Sequence, residues 1–555
     1  MLLRRYALLS LFSQERNTTH ESLIYTLRMA QHDMGYDISN YEDIHPQYGT
    51  LADMDDLTRE IHARGMKLLL DLVINHTSDQ HAWFQESRTS KTNRKADWYM
   101  WRPPKYSPLG ERLPPNNWAA TFGGSAWEYV PERDEYYLHS FLTSMPDLNW
   151  ESATTREAIY ESAIRFWLRR GVDGFRVDVA DYYSKDVSFA DAAVTQPGAP
   201  YQSAHAHFAD GPRMHEFLRE LRREACGGDG DVMLVGECST RDPARVLEYV
   251  AESRGELSMI FDFDVVALGG NVVRPRHEVC RHALPELKRA LAKVQRLCAD
   301  AGAWATVFAE NHDNGRSIPR LASADPRHRE ASAKLLALML ATLTGTLFLY
   351  QGQEIGMANV PLDWVPAELK DAWSIQYWDE MTSRHPHDAE LHRRARAGLQ
   401  LCARDNARTP MQWDASEHAG FTTGAPWMRV NDNYREINVA SELERESGVL
   451  AFWRRMLALR KRHRALFARG DFEMVDVDDE HLFTYIKHAE DGAAALVILN
   501  FSSERRRYEI PEKLRQRPTC EFVATDDGAQ DGSLKPWSGV AVVSSIHDLQ
   551  PKWPT

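Results

Sequence analysis

The sequence predicts an α/β protein in which a (β/α) barrel carries an inserted segment and is followed by a smaller β domain. Amphipathic helices alternate with short apolar strands over roughly 300 residues, the pattern of parallel sheets built from βαβ units. No G-x-G-x-x-G motif follows any of these strands, which disfavours an open dinucleotide-binding sheet. Residues 471–543 then form short β-type runs, which predict a separate domain.

Composition and charge exclude several classes of protein. With 43% hydrophobic and 26% charged residues, the chain of 555 residues has ordinary globular values. Its formal net charge of -14 disfavours nucleic acid and anionic membranes as partners, and no apolar run is long enough for a membrane span. The 6 cysteines lie far apart and form no CxxC, which predicts reduced thiols and a cytoplasmic location. Residues 1–12 lack the cleavage site of a signal peptide.

Four helix–strand pairs and two further strands carry the barrel pattern. The pairs are 57–64 with 66–74, 152–171 with 174–179, 214–224 with 232–236 and 331–341 with 345–350, and the further strands are 259–263 and 304–308. In the second pair, Thr154 and Glu157 predict a capping box, and Gly171 ends the helix.

Two regions fall outside this pattern. Residues 78–147 are rich in Trp, Pro, Asn and Gly and too long for a plain loop, so they predict a subdomain inserted beside the barrel mouth. After a helix near 449–461, the C-terminal β domain is predicted from strands at 472–475, 482–486, 494–499 and 540–543. We therefore assign residues 1–77 and 148–465 to the barrel, 78–147 to the inserted subdomain and 466–555 to the β domain.

Acidic residues at strand ends are the first candidates for catalysis, because strand ends face the active-site mouth of a barrel. The strand period of two puts Arg176 and Asp178 on one face, where a buried arginine is expected to keep the carboxylate ionised, as a nucleophile requires. A purely structural Arg–Asp pair is the alternative. Glu237 follows a strand without charges, and apolar surroundings would raise its pKa toward that of a general acid; a solvated glutamate is the alternative.

Two more strand ends carry polar residues. Asp71 and Asn75 share one face of the strand 66–74, and His76 follows at its end. Farther along the chain, Asp313 comes directly after His312, so a carboxylate lies beside a neutral hydrogen-bond donor. Such residues at four strand ends together indicate an active site.

Four segments resemble the signature regions of the α-amylase superfamily of glycoside hydrolases, family 13, in the family's order. They are 71–76 (DLVINH), 174–178 (GFRVD), 235–237 (VGE) and 310–313 (ENHD). Further stretches resemble the maltase and isomaltase branch of yeasts and filamentous fungi, that is α-glucosidases of the oligo-1,6-glucosidase type: 33–41, 122–127, 146–150, 350–354 and 407–413. The resemblance runs from residue 33 to about 540 and implies a (β/α)8 TIM barrel with a subdomain inserted after strand 3 and a C-terminal antiparallel β domain.

The resemblance implies a retaining mechanism. Asp178 is then the nucleophile, and Glu237 is first the acid and later the base. Asp313 stabilises the transition state by holding the 2- and 3-hydroxyls of the sugar, and Arg176 orients Asp178. The carboxyl groups of the nucleophile and the acid are expected to lie about 5 to 5.5 Å apart.

The resemblance also implies a set of substrate-binding residues. His76 and His312 donate to hydroxyls in the same subsite, and Tyr36 stacks on the sugar ring. Asp33 and Arg408 close the pocket behind the non-reducing end, so that the enzyme is exo-acting and releases single glucose units from small oligosaccharides.

The residue after the nucleophile indicates which glycosidic linkage is preferred. In this branch the residue after the nucleophile tends to be Val in enzymes that cut α-1,6 bonds and Thr in those that cut α-1,4 bonds, and here it is Val179. We therefore predict isomaltase activity, with an α-1,4 maltase or sucrase as the alternative. Met145 and Cys238 depart from the Gln and from the Val or Met that are usual in the branch.

The first residues of the chain do not follow the family. Its members have a strand, a helix and a second strand before the segment 33–41, whereas residues 1–32 show no such pattern. We therefore predict that the region of strand 1 is missing or replaced, either because the gene start is wrong or because the protein is a catalytically impaired paralogue. A barrel without that strand has an open edge.

Other classes of protein fit the sequence less well. The HxH spacings at 205–207 and 385–387 lie in polar loops, so we predict surface histidines, no metal site and no cofactor. The G-x-S-x-G elbow of serine hydrolases is lacking. A non-catalytic, membrane-anchored relative requires a span that the sequence does not show. We expect a monomer or a weak homo-oligomer.

Overall fold

A computed structural model describes residues 21–24, 27–30, 34–227, 232–268, 282–300, 303–323, 325–361, 363–511, 514, 517–526 and 532–544. The chain forms two compact units, Met1–Phe261 and Asp262–Thr555.

The first unit contains a parallel sheet and several short antiparallel pairs. Its strands are β1 (Glu21–Ile24), β2 (Leu27–Met29), β3 (Ile38–Ile44), β4 (Lys67–Leu72), β5 (Trp101–Arg102), β6 (Lys105–Tyr106), β7 (Arg112–Leu113), β8 (Trp118–Ala119), β9 (Trp127–Val130), β10 (Glu135–Leu138), β11 (Gly174–Val177), β12 (Gln202–Ser203), β13 (Met233–Glu237) and β14 (Met259–Phe261). Its helices are α1 (Leu51–Ala63), α2 (Ala82–Ser87), α3 (Ala153–Ile159), α4 (Phe166–Arg169), α5 (His205–Phe208), α6 (Met214–Glu220) and α7 (Pro243–Val250), with π-helical turns at Tyr160–Arg165 and Leu221–Ala225 and a 3-10 turn at Glu252–Arg254.

The parallel sheet has the order β1-β4-β11-β13-β14. The middle strand, β11, is buried throughout, as expected for a strand covered on both faces. Its register places Arg176 beside Asp71 of β4 on one side and beside Val235 of β13 on the other. Because parallel strands end at the same edge, this register brings the polar ends of three strands together.

The region before β3 differs in part from the prediction. The strand β1 pairs parallel with β4, in the register Glu21↔Lys67 to Ile24↔Leu70, although the sequence of residues 1–32 shows no strand pattern. This strand covers the edge of β4, and its backbone pairing does not require an amphipathic pattern in the sequence. Residues 1–20, on which the rest of the prediction rests, lie outside the described residues.

Helix α1 begins with a capping box. The side chain of Thr50 accepts from the backbone of Asp53, and the carboxylate of Asp53 accepts from the backbone of Thr50 at 2.8 Å. The box predicted at Thr154 is wrong. Helix α3 starts two residues earlier than that box implies, after Ser152, whose hydroxyl pairs with the hydroxyl of Thr154 at 3.0 Å instead of capping the backbone.

The inserted segment has an aromatic core and one buried arginine. The antiparallel strands β5, β10 and β9 form its sheet, and Trp118 and Trp127 are buried. Arg133 donates to the carbonyls of Ser87 at 2.6 Å and Ala96 at 2.7 Å, and its guanidinium lies 4.2 Å from the ring centroid of Trp101. The guanidinium thus supplies hydrogen-bond donors to buried backbone carbonyls at positions where helix and strand hydrogen bonding ends.

The second unit combines helices with an antiparallel sheet. Its strands are β15 (Thr306–Val307), β16 (Thr346–Leu347), β17 (Asp471–Met474), β18 (Leu482–His488), β19 (Ala494–Asn500), β20 (Arg506–Arg507), β21 (Thr519–Ala524), β22 (Ser533–Leu534) and β23 (Gly539–Ser544). Its helices are α8 (Leu284–Asp300), α9 (Ser317–Leu321), α10 (Arg329–Thr342), α11 (Ala372–Arg384), α12 (Ala389–Cys402), α13 (Asp405–Arg408), α14 (Val439–Leu443), α15 (Val449–Arg462) and α16 (Arg464–Phe467).

Helix α10 forms the centre of the second unit. Its residues from Leu335 to Thr342 are buried, as the apolar run in the sequence predicts, and they share one hydrophobic core with α15 and with β18, β19 and β23. Arg460 of α15 donates to the carbonyls of Ala341 at 2.9 Å and Leu343 at 2.7 Å, which pairs the free end of α10. The sheet that follows is antiparallel, in the order β17-β18-β19-β23-β21.

In the part of the chain that the structure describes, no helix is both long and apolar enough to span a bilayer.

Candidate active site

Asp178 directly follows β11, and its backbone is held on two sides. Its amide donates to the carbonyl of Leu72 at 3.1 Å, and its carbonyl accepts from the hydroxyl of Tyr183 at 3.0 Å. The next residue, Val179, has a φ of 36°, in the left-handed region that β-branched residues avoid. Such strain costs about 1 to 3 kcal/mol and is found mainly at functional sites.

One buried guanidinium binds three carboxylates at this point. Nη1 of Arg176 lies 2.5 Å from Oδ1 of Asp178 and 3.0 Å from Oδ1 of Asp71, and Nη2 donates to Oε2 of Glu237. The arginine side chain is only 5% exposed. Because one rigid, planar group holds both, Asp178 and Glu237 are fixed next to each other.

Burial raises the pKa of Asp178 above its ordinary value, and the negative charge of Asp71 adds to the rise, while Arg176 opposes it. Burial also raises the pKa of Asp71, and the charge of Arg176 again opposes the rise. Arg176 therefore favours the ionised form of Asp178, in the direction predicted, but in the ligand-free protein burial has the larger effect. One cation shared among three buried carboxylates does not compensate fully for the loss of water.

Glu237 has a charged neighbour that the sequence did not indicate. The prediction of purely apolar surroundings is wrong because Arg176 reaches Glu237 from the adjacent strand, β11. The backbone carbonyl of Glu237 also accepts from the amide of Ala180 at 2.7 Å, which ties the ends of the two strands together. Its side chain is 21% exposed, compared with 7% for Asp178.

Tyr36 and His76 lie against this cluster. The hydroxyl of Tyr36 donates to Asp71 at 3.1 Å, and its ring centroid lies 5.5 Å from the guanidinium of Arg176. His76 donates from Nε2 to the carbonyl of Tyr36 at 2.9 Å and accepts at Nδ1 from the amide of Asn75 at 3.1 Å. Burial lowers the pKa of His76 to about 4, so the ring is neutral at pH 7.

A buried lysine, which sequence reasoning missed, joins the inserted segment to the end of β4. Nζ of Lys185 donates to Oδ1 of Asn75 at 2.6 Å and to the carbonyl of Tyr182 at 2.6 Å, and it lies 3.0 Å from Oδ2 of Asp147. The ammonium and carboxylate side chains are 1% and 0% exposed. Asp147 and Lys185 lie far apart in sequence, so no local spacing marks the pair.

The other sequence-predicted site residues lie in the second unit. Arg408 donates from Nη2 to Oδ1 of Asp313 at 2.6 Å and from Nε to the carbonyl of His312 at 2.9 Å. Nε2 of His312 lies 3.3 Å from Oδ1 of Asp313, and Nη2 of Arg404 lies 3.4 Å from Oδ2. Asp33, the predicted partner of Arg408, lies outside the described residues.

The HxH spacing at 205–207 lies in helix α5 and not in a polar loop as predicted. In α5, His205 lies 3.1 Å from the hydroxyl of Tyr182 through Nδ1 and 3.3 Å from the hydroxyl of Ser239 through Nε2, and His207 pairs with Asp186 at 2.9 Å. Among the described residues, no three or more His, Cys, Asp or Glu side chains lie together so that they could hold a metal ion.

Known proteins resemble this chain over most of its length. Residues 24–469 match the family model of the alpha-amylase catalytic domain. An alpha-glucosidase of Candida albicans is 46% identical over 482 residues, which are 86% of this chain and 84% of that protein. The oligo-1,6-glucosidase IMA5 of Saccharomyces cerevisiae is 38% identical over 92% of this chain and 88% of its own length. Among solved structures, the trehalose-6-phosphate hydrolase of Bacillus licheniformis matches with a TM-score of 0.86 at 33% identity, over 98% of this chain and 95% of that one.

Proposed function

The chain belongs to the α-amylase family, and on that premise we propose that it is a retaining, exo-acting α-glucosidase that releases glucose from short α-glucosides. The family membership confirms the predicted resemblance and the broad fold class, a (β/α)8 barrel with a C-terminal β domain. One observation carries the proposal for the reaction. A single guanidinium, that of Arg176, binds both Asp178 and Glu237, so two carboxyl groups lie side by side as a retaining mechanism requires.

In the proposed reaction, Asp178 attacks the anomeric carbon of the terminal glucose. The glycosidic C–O bond breaks, and its electron pair goes to the leaving oxygen, which takes the proton of Glu237. Water then gives a proton to Glu237 and attacks the glycosyl-enzyme, which releases glucose with its α configuration and returns both carboxyl groups to their starting states. The greater exposure of Glu237 supports its role, because the leaving sugar and the incoming water must both reach it.

Arg176 is proposed to orient the nucleophile, and for His76 we keep the contact with a sugar hydroxyl that the family resemblance implies. In the ligand-free protein the single N–H of its neutral ring is directed to the carbonyl of Tyr36, so donation to a hydroxyl requires this hydrogen bond to be exchanged. Tyr36 is proposed to bind the sugar ring. For Asp313 we keep the role that the family resemblance implies, binding of the 2- and 3-hydroxyls, and for His312 a donor role toward a hydroxyl. The short ion pair between Arg408 and Asp313 supports an ionised Asp313, which accepts from hydroxyls.

For the linkage we propose a preference for α-1,6 bonds. The support is Val179, the residue after the proposed nucleophile, together with the similarity to an oligo-1,6-glucosidase. An α-1,4 maltase is the second candidate, because the chain is also similar to a protein named only as an alpha-glucosidase. We further propose a cytoplasmic location, which agrees with the free cysteines Cys226, Cys238, Cys402 and Cys520.

The test is an assay of the purified full chain with isomaltose, maltose, sucrose and an aryl α-glucoside. Proton NMR of the first turnovers identifies the anomer that is released. We expect α-glucose as the product and a higher kcat/KM for isomaltose than for maltose. Initial release of β-glucose would contradict the retaining mechanism, a preference for maltose would contradict the linkage, and absence of glucose from every substrate would contradict the function.

A further inference from the structure

The regular pairing of β11 with β13 ends just before the two proposed catalytic residues. Its last pair is Val177 with Gly236. The chain then leaves the sheet, because Val179 has a φ of 36°, which an extended strand does not allow. On its other side, β13 pairs with β14 as far as Glu237. Toward β11, however, strand pairing no longer fixes the position of Glu237 relative to Asp178.

Ala180 and Asp181 take the place of strand pairing on this side of β13. The amide of Ala180 donates to the carbonyl of Glu237 at 2.7 Å. Oδ2 of Asp181 accepts from the amide of Ser239 at 2.7 Å and also from the hydroxyl of the same residue. The chain from Glu237 to Ser239 is therefore hydrogen-bonded at both ends to the turn that follows the proposed nucleophile.

The turn and the strand also pack closely against each other. A Cβ atom on Gly236 would lie 3.2 Å from the Cβ of Ala180 and 2.5 Å from Cδ1 of Leu257, a tight approach that the absence of a side chain at residue 236 permits. Closely packed interiors transmit small displacements. A shift of Ser239 is therefore expected to reach Glu237.

The contact to Ser239 is made by a buried, ionised carboxylate. Asp181 is 1% exposed. Burial raises its pKa to about 6, the hydrogen bonds from Ser239 oppose the rise, and the negative charge of Asp210 adds to it, so the group is ionised at pH 7. Hydrogen bonds to an ionised acceptor are roughly twice as strong as neutral ones. The buried charge therefore makes the contact between Asp181 and Ser239 a strong one.

General-acid catalysis is sensitive to small errors in position, and a displacement of about 1 Å can lower a rate about 10²-fold. We propose that Asp181 is a positioning residue for Glu237, which it holds through Ser239 in the place from which the proton reaches the leaving group. This inference rests on the proposed function for its catalytic consequence and on the hydrogen-bond geometry for its structural one.

The decisive experiment compares two aryl substrates with the variant Asp181→Ala. Phenyl α-glucoside needs a proton on its leaving group, whereas 2,4-dinitrophenyl α-glucoside releases a weakly basic phenolate that leaves without one. We expect kcat/KM to fall about 30-fold for the phenyl substrate and less than about threefold for the dinitrophenyl substrate. A fall that is no larger for the phenyl substrate, or no fall at all, would overturn the proposal.

Asp186→Ala is the matched control. Asp186 lies in the same loop after β11 and also accepts from a serine amide, that of Ser188 at 3.0 Å, but its carboxylate then pairs with His207 of α5 and not with β13. This variant should change kcat/KM for the two substrates by the same factor. Glu237→Gln is the positive reference and should slow the phenyl substrate much more than the dinitrophenyl substrate.

Ser239→Ala tests the same contact with a smaller change. It keeps the carboxylate of Asp181 and removes the hydroxyl donor, which also lies 3.3 Å from Nε2 of His205. We expect a fall of about fivefold for the phenyl substrate and about twofold or less for the dinitrophenyl substrate. If Asp181→Ala does not fold, this variant decides the proposal by the same comparison.

A crystal structure of Asp181→Ala gives a readout that needs no activity. We expect Ser239 to move away from the turn and the hydrogen bond between Ala180 and Glu237 to lengthen. A segment that keeps its present position contradicts the positioning role. If the parent protein cleaves neither substrate, or if Glu237→Gln does not slow the phenyl substrate, the proposed function fails, and the crystal structure decides the structural part of the inference separately.

Discussion

At the scale of single residues, the central feature is the competition of three carboxylates for Arg176. Burial favours the protonated form of each carboxyl group, and the guanidinium favours the ionised form. For Asp178 and Asp71 burial is the larger effect, so the pKa of each is raised. Asp178 therefore reaches its nucleophilic form only as the pH rises above the usual range of an aspartate.

Asp178→Ala is expected to lower kcat by about 10⁴-fold or more, because the glycosyl-enzyme cannot form. Arg176 keeps Asp71 and Glu237 as partners, so the melting temperature should stay within a few degrees of the parent's. Asp173→Asn, at the other end of the same strand, is the control that should retain turnover. Substantial activity of the alanine variant would exclude Asp178 as the nucleophile.

Asp71→Asn is expected to move the acid limb of the pH profile of kcat/KM to lower pH, by about one unit. The reason is that the charge of Asp71 raises the pKa of Asp178, and the amide removes that charge. Asp43→Asn, at a partly exposed aspartate that pairs with Arg28, serves as the control. An acid limb that stays in place or moves upward would contradict this electrostatic account.

The same raised pKa values determine how stability depends on pH. The folded protein keeps protons on Asp71 and Asp178 at pH values where the unfolded chain has lost them, so the folded state binds more protons. Their contribution to the free energy of unfolding is therefore present at low pH and is lost as the pH rises through the raised pKa values. In Asp71→Asn this loss should be smaller, as urea unfolding at several pH values would measure.

Val179→Thr is expected to shift the preference from isomaltose toward maltose and sucrose. The ratio of kcat/KM for isomaltose to that for maltose measures the change, and Val194→Thr, at a side chain that is 68% exposed, is the control. An unchanged ratio would show that this position does not select the linkage here. Valine and threonine are both β-branched, so we expect the backbone strain of the positive φ at residue 179 to be similar in the variant and the parent.

At the scale of elements, one buried ion pair joins the inserted segment to the loop after β11. Lys185→Met leaves the buried carboxylate of Asp147 without its cation, so we expect a loss of about 3 to 5 kcal/mol in the free energy of unfolding. Lys67→Met is the control. The Lys67 side chain is 50% exposed and its ammonium lies 3.7 Å from Asp173, and exposed pairs contribute about 1 kcal/mol or less. Equal losses in the two variants would contradict the assignment.

Helices and strands were predicted in type more successfully than in extent. The strands β11 and β13 and the helices α10 and α15 lie where apolar periodicity indicates. The cap predicted at Thr154 does not form, because the hydroxyl of Thr154 pairs with the hydroxyl of Ser152. The strand β21 was not predicted. Ends of elements depend on such local competition, which periodicity does not record.

At the scale of the whole molecule, the net charge of -14 bears on solubility and non-specific binding rather than on catalysis. A neutral sugar is not steered by this field, and the charges around Arg176 are buried. We therefore expect kcat/KM to vary by less than about twofold between 0.05 and 0.5 M NaCl. A steep fall with salt, measured at constant pH, would indicate a charged substrate instead.

The sequence by itself determined the fold class, the family and the candidate residues, because alternation of helices and strands and the signature segments are local properties of the chain. The tertiary structure alone decided the electrostatics of the site. Arg176 reaches Asp71 and Glu237 across separations of 105 and 61 residues, and Arg408 reaches Asp313 across 95 residues. Charge and burial act through space, so the pKa values of these carboxyl groups follow from which distant segments pack together.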